Sequence, residues 1–163
     1  MTHRFSEVVV YSLALFLGCR SSGEAGETKH REAPTQLAVP VPPDFEMTFG
    51  EGGGFGGGWY GHTIRADGSV FAWRGPVAGA NLDSLGILDP DTLGRLWQHI
   101  EEIGFFSDSV DESGNITAFV RITGDGQEAR SSWIPGVESI EPPRNATEAL
   151  YRRTRATINR LFR

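Results

Sequence analysis

The sequence predicts an α+β domain: an antiparallel sheet of about five strands with two helices packed on one face. Three observations lead there. Short alternating apolar runs come in pairs around Asp-Gly dipeptides. Two longer runs carry apolar residues at helical spacing. Hydrophobic residues make up 39% of the chain and charged residues 22%, which permits a packed core. The domain is expected from Asp44 to Arg163, about 120 of the 163 residues. That length can bury a core without disulfide or metal.

"DFEMTF" places Phe45, Met47 and Phe49 on one face and reads as a strand. From Gly50 to Gly58, seven of nine residues are glycine, the exceptions being Glu51 and Phe55. Glycine costs more backbone entropy to order than any other residue, so this stretch is expected to be a loop. "WYGHTIR" and "SVFAWR" then flank Ala66-Asp67-Gly68-Ser69, and Asp-Gly between alternating runs predicts a two-residue hairpin. That register sets Ile64 opposite Phe71 and His62 opposite Trp73. With Tyr60 these form the expected core face, and Trp59, Thr63, Arg65, Val70 and Ala72 form the other.

"VAGANLDSLGI" reads as a loop. Asp89 followed by Pro90 is a favoured helix start. Leu93, Leu96, Trp97, Ile100 and Ile103 recur at helical spacing, and Gly104 is a natural stop. Phe105 and Phe106 are expected to pin the exit. "NITAFVRIT" is a strand, Gly124-Asp125-Gly126 a turn and "QEARSSWI" the returning strand. In the last helix, Asn145 and Glu148 have capping-box spacing, and Leu150, Tyr151, Thr154, Ile158, Leu161 and Phe162 share a face.

The first 43 residues read differently. Arg4 precedes an apolar run, Val8 to Leu17, that is too short to span a bilayer and suits a signal peptide. The run ends at Gly18-Cys19, and Cys19 is the only cysteine. This resembles a bacterial lipoprotein signal, although Phe16 and Leu17 stand where that signal usually has Leu and a small residue. The resemblance implies cleavage after residue 18, a lipid on Cys19, and a place in the cell envelope. Arg20 stands where an inner-membrane retention signal has Asp, which favours the outer membrane. Residues 19–43 carry charge, small residues and proline, and read as a disordered tether.

The net charge of −6 is unevenly placed. Residues 44–143 hold sixteen acids against five arginines, whereas residues 144–163 hold six arginines against Glu148. An acidic body does not suit nucleic acid, whose binding rests on phosphate neutralisation. The terminal arginines can pair with that body or dock elsewhere.

Chemistry is harder to find. Gly52, Gly54 and Gly57 spell a G-x-G-x-x-G, but a strand follows it, so no helix terminus is available for a pyrophosphate. His99 has no histidine one turn away and reads as a surface residue. His62 reads as stacked against Trp73. Asp108, Asp111 and Glu112 read as a solvated acidic turn, with weak calcium binding as the alternative, since their spacing fails the EF-hand pattern. There is no Gly-x-Ser-x-Gly elbow. No catalytic residue, cofactor or metal site is expected, and the chain is read as a non-enzyme.

"GGGFGGG" before an alternating strand, then "LGRLWQHIEEIGFFS", "NITAFVRI" and a last helix, resembles the emfourin family. These are small bacterial inhibitors of thermolysin-like metalloproteases. Gly53, Gly54, Phe55, Gly56 and Gly57 match the family's opening motif, with Gly56 in place of Ala. Asn115 and Phe119 depart from its usual Asp and Tyr. The tight "IRADGSVFAW" hairpin looks more like a related group of secreted domains of unknown function. The resemblance implies a protein partner, a thermolysin-like metalloprotease, met by Gly53 to Gly57 and Trp59. Such a loop can enter a narrow cleft as an extended peptide with Phe55 in a pocket. The competing reading of the same residues is a β-arch whose Phe55 folds back onto the core. The alternative function is a structural or envelope-assembly lipoprotein that docks through its arginine-rich last helix.

Overall fold

A computed structural model describes residues 40–136 and 141–163. Cys19, the expected signal peptide and all of the tether but its last four residues lie outside them.

Six strands form one antiparallel sheet, and two helices complete the α+β fold. The strands are β1 (Glu46–Gly53), β2 (Gly58–Arg65), β3 (Ser69–Gly75), β4 (Leu82–Ile87), β5 (Ile116–Gly124) and β6 (Gln127–Trp133). Helix α1 (Pro90–Glu102) follows β4, and α2 (Ala146–Leu161) ends the fold. The sheet order is β4-β3-β2-β1-β5-β6, so β1 is central, between β2 and β5.

Phe45, Met47 and Phe49 do share a buried face, and the helices pack there. Phe45 meets Trp97 of α1 edge-to-face at 5.6 Å. Tyr151 of α2 meets Phe49 at 5.8 Å and Trp133 at 5.3 Å in the same manner. Asp89 caps α1 by accepting from Thr92 N at 2.9 Å. Asn145 caps α2 by accepting from Glu148 N at 2.8 Å. The buried Glu148 carboxylate reaches back to Arg144 N at 3.0 Å, one residue earlier than a standard capping box. Burial pushes Glu148 up, but Arg144 N–H and the Arg152 and Arg144 guanidiniums outweigh it and hold the carboxyl below its ordinary value.

Two expectations need correction. The stretch read as a loop after Val77 contains β4, which pairs with β3 at the sheet edge. Asp83 and Ser84 are exposed and Leu82 and Leu85 only half-buried, so the strand lacks a clear alternation. The β2–β3 register is also one residue off: Ile64 faces Val70, and Gly61 faces Trp73. The cause is the turn. Gly68 N donates to Arg65 O at 2.9 Å, and Gly68 alone takes a positive φ, +82°. This gives a three-residue loop with a bulge at glycine rather than a two-residue hairpin. The second Asp-Gly, Asp125-Gly126, has both φ angles positive, +52° and +69°, and does make the two-residue turn. Asp44 clasps it, accepting from Asp125 N at 3.0 Å and Gly126 N at 2.8 Å.

The register change moves Trp73 to the face away from the helices, where it is nonetheless 2% exposed. It stacks on Phe119 at 6.1 Å, and Trp59 meets Phe119 edge-to-face at 5.7 Å. Gly50 and Gly61 make room for it. A Cβ would lie 2.8 Å from the Trp73 ring at Gly50 and 2.6 Å from it at Gly61. His62 stays on the helix side and packs on Phe49 at 5.5 Å, not on Trp73.

Candidate binding site at the glycine hairpin

The glycine run is mostly strand. Gly50 to Gly53 belong to β1 and Gly58 to β2, and Gly53 pairs with both Gly58 and Ile116. The loop is only Gly54-Phe55-Gly56-Gly57. Gly57 N donates to Gly54 O at 3.2 Å, and Gly54 N donates to Asn115 O at 2.5 Å. Gly53, Gly54 and Gly57 have φ of +110°, +71° and +60°, a region that strains other residues. Nothing stands within 4 Å of the Cβ positions of Gly54, Gly56, Gly57 or Gly58. Phe55 is fully exposed, so the fold-back reading of this side chain does not describe the structure. The hairpin is a bare backbone tip with one aromatic ring on it.

Trp59 is not at the tip. It lies half-buried over Gly52, against Phe119, on the face away from the helices. The six expected binding residues therefore divide into a tip, Gly53 to Gly57, and a packed tryptophan behind it.

Under the tip, on the helix side, is a polar cluster the sequence reading did not single out. Glu51 and Tyr60 are cross-strand partners, and the Tyr60 hydroxyl donates to Glu51 Oε1. Tyr151 OH donates to Glu51 Oε2 at 3.4 Å and accepts from Arg155 Nη1 at 3.0 Å. Arg155 Nη1 also lies 3.6 Å from Glu51 Oε1. One carboxylate thus ties β1, β2 and α2 together at the base of the hairpin. Its bond to Tyr60 pushes that hydroxyl above its ordinary value, so Tyr60 is a proton donor at neutral pH. His62 beside it is pushed down, by burial first and by Arg155 second. Its Nδ1 is buried with no partner among the described residues.

Two clefts flank this cluster. One, of about 570 Å³, runs along Gly52, Gly53, Gly58 and Ile116; the other, of about 260 Å³, lies over Gly50, His62 and Asn159. Arg155 and Tyr60 border both. Glu51 is held by two tyrosine hydroxyls and the Arg155 guanidinium. The arrangement ties the base of the hairpin to α2 and leaves the tip's backbone and the Phe55 ring exposed.

The other candidate residues are dispersed. Asp111 accepts from Ser132 Oγ at 2.9 Å, and Glu112 lies 3.6 Å from Arg144. Among the described residues no group of three or more His, Cys, Asp or Glu could hold a metal. His99 Nδ1 lies 3.7 Å from Glu102. Of the terminal arginines, Arg144 and Arg152 bind Glu148, and Arg155 meets Glu51. Arg153 and Arg160 have no carboxylate within salt-bridge distance among the described residues. No described helix is long and apolar enough to cross a membrane.

Compared with known protein families and with curated proteins, the chain matches none.

Proposed function

We propose that the chain is a non-catalytic binding module that presents the β1–β2 tip to a protein partner. Its sharpest form is an emfourin-like inhibitor of a thermolysin-like metalloprotease. The observation that carries this reading is the full exposure of Phe55 on a loop with no other side chain. Aromatic side chains are enriched among the anchors of protein interfaces, and Phe55 stands free to fill a partner's pocket. The unshielded N–H and C=O groups beside it can pair as an extended peptide does. Glu51 and its partners tie the base of the hairpin to α2, and ordering of that kind before binding lowers its cost.

The test is inhibition of a thermolysin-like metalloprotease by the purified protein. Wild type should inhibit, and Gly54→Val should not, because valine cannot take the positive φ at that position. A wild-type protein that leaves the protease untouched at high micromolar concentration overturns the inhibitor reading.

The same proposal places the module in the cell envelope, anchored through a lipid on Cys19. Cys19→Ser should move the protein out of the detergent phase. Unchanged partitioning, with no acyl mass on the wild type, overturns the anchor.

A further inference from the structure

A second feature lies on the helix side, toward the carboxyl end of α2. The helices pack on the same sheet face but touch one another only briefly. Between them opens a groove of about 310 Å³. That is the lower end of the size range for small-molecule sites. Its apolar walls are Ile64, Leu88, Leu96, Leu150, Ile158 and Leu161. Most of these are buried or half-buried, but Leu161 is 48% exposed at the rim.

The charged groups lining the groove are of one kind. Arg95, Arg153 and Arg160 border it with His99, and no carboxylate does. None of these three arginines has a carboxylate within salt-bridge distance among the described residues. Among the described residues, Arg95 Nη2 donates only to Thr92 Oγ1, at 3.0 Å. His99 is already beside Glu102. This is notable in a body with sixteen acids against five arginines over residues 44–143. Guanidiniums left unpaired around an apolar slot suit a molecule with an anionic head and an aliphatic tail. The head takes charge-assisted hydrogen bonds, and the tail leaves water against the part of the apolar lining that is still exposed, Leu96 and Leu161.

We propose that the interhelical groove binds a single-chain aliphatic carboxylate, its head among Arg95, Arg153 and Arg160 and its tail against Leu96 and Leu161. At roughly 30 Å³ per heavy atom, as in liquid water, the groove holds about ten chain atoms. It therefore has room for one medium-length chain. This site is separate from the glycine hairpin and stands whether or not the hairpin inhibits a protease.

The experiment is calorimetric titration of the full chain with octanoate, decanoate, decanol and decyltrimethylammonium, each below its micellar concentration. Decanoate should bind at one per chain. Octanoate should bind about fifteenfold more weakly, since each buried methylene contributes about fourfold. Decanol should be weaker than decanoate by about tenfold for want of the charged head, and the ammonium weaker still. Arg153→Gln with Arg160→Gln should bring decanoate down toward decanol and leave decanol unchanged. Thr157→Phe, which fills the groove, should weaken both ligands while the melt shows a folded protein. Equal affinity for decanoate and decanol, or decanoate binding indifferent to the arginine pair, overturns the proposal. So does binding to anionic phospholipid vesicles without binding to decanoate, which would assign these arginines to a membrane surface.

Discussion

Gly61→Ala is a small change with a sign that the packing decides. In an ordinary strand, replacing glycine by alanine stabilises by roughly 0.5–1 kcal/mol, because glycine loses more entropy on folding. At Gly61 the added Cβ would press on the Phe49 carbonyl of the neighbouring strand and stand 2.6 Å from the Trp73 ring. Backbone in the middle of a sheet cannot retreat without breaking the ladder. Trp73 is 2% exposed and stacked on Phe119, so it cannot swing away without losing that contact. Overpacking of this kind costs about 1–3 kcal/mol, which exceeds the entropic gain. For a domain of this size the net loss lowers the melting temperature by roughly 3–10 °C. Gly58→Ala is the control, since its Cβ would meet nothing within 4 Å. That variant should melt at or slightly above wild type. Thermal and denaturant melts of both variants read the difference. A Gly61→Ala protein as stable as Gly58→Ala would refute the claim that these glycines exist to seat Trp73.

Other expectations follow from single interactions. Asn145→Ala removes the bond to Glu148 N and should cost about 1 kcal/mol in a denaturant melt. His62 has a folded pKa depressed below 6.5, so the unfolded chain binds more protons between the two values. Stability should therefore hold above about pH 6.5 and decline as pH falls toward the folded value, and His62→Phe should remove that part of the slope. Asp44, Asp67, Asp89 and Glu148 all have depressed pKa values. Their contribution should be present above their ordinary values of 3.8 and 4.5 and be lost only in stronger acid, which a pH series of melts would separate from the His62 step.

The α+β class was legible because the core segments are strongly periodic. Phe45, Met47 and Phe49 alternate, and Leu93, Trp97 and Ile100 recur as a helix face should. Both caps were readable for the same local reason: Asp89 and Asn145 act within three residues of themselves. The errors arise where the deciding contact is distant. The two Asp-Gly dipeptides look alike, yet Asp125-Gly126 is clasped by Asp44 from eighty residues away, while Gly68 O is taken by Leu88 N. Strand β4 borrows its order from β3 and shows little pattern of its own. Glycines that seat an indole cannot be told from glycines of a loop until Trp73 is placed over them. Glu51 could have been found: an acid two residues after Phe49, in strand phase and opposite Tyr60, belongs on the helix face. Its other partners, Tyr151 and Arg155, are a hundred residues on and leave no local trace.

The central claim is that Phe55 serves a partner and not the core. The most direct measurement is Phe55→Ala, followed by a thermal melt and by inhibition of a thermolysin-like metalloprotease on the same sample. Phe55 is fully exposed, so its truncation should leave stability within about 0.5 kcal/mol of wild type. Inhibition should weaken by about 2 kcal/mol, or roughly thirtyfold, as expected for an aromatic hot spot. A melt lowered by about 3 kcal/mol or more would mean that Phe55 packs against the core in solution, and inhibition equal to wild type would mean that the hairpin tip is not what the protease meets.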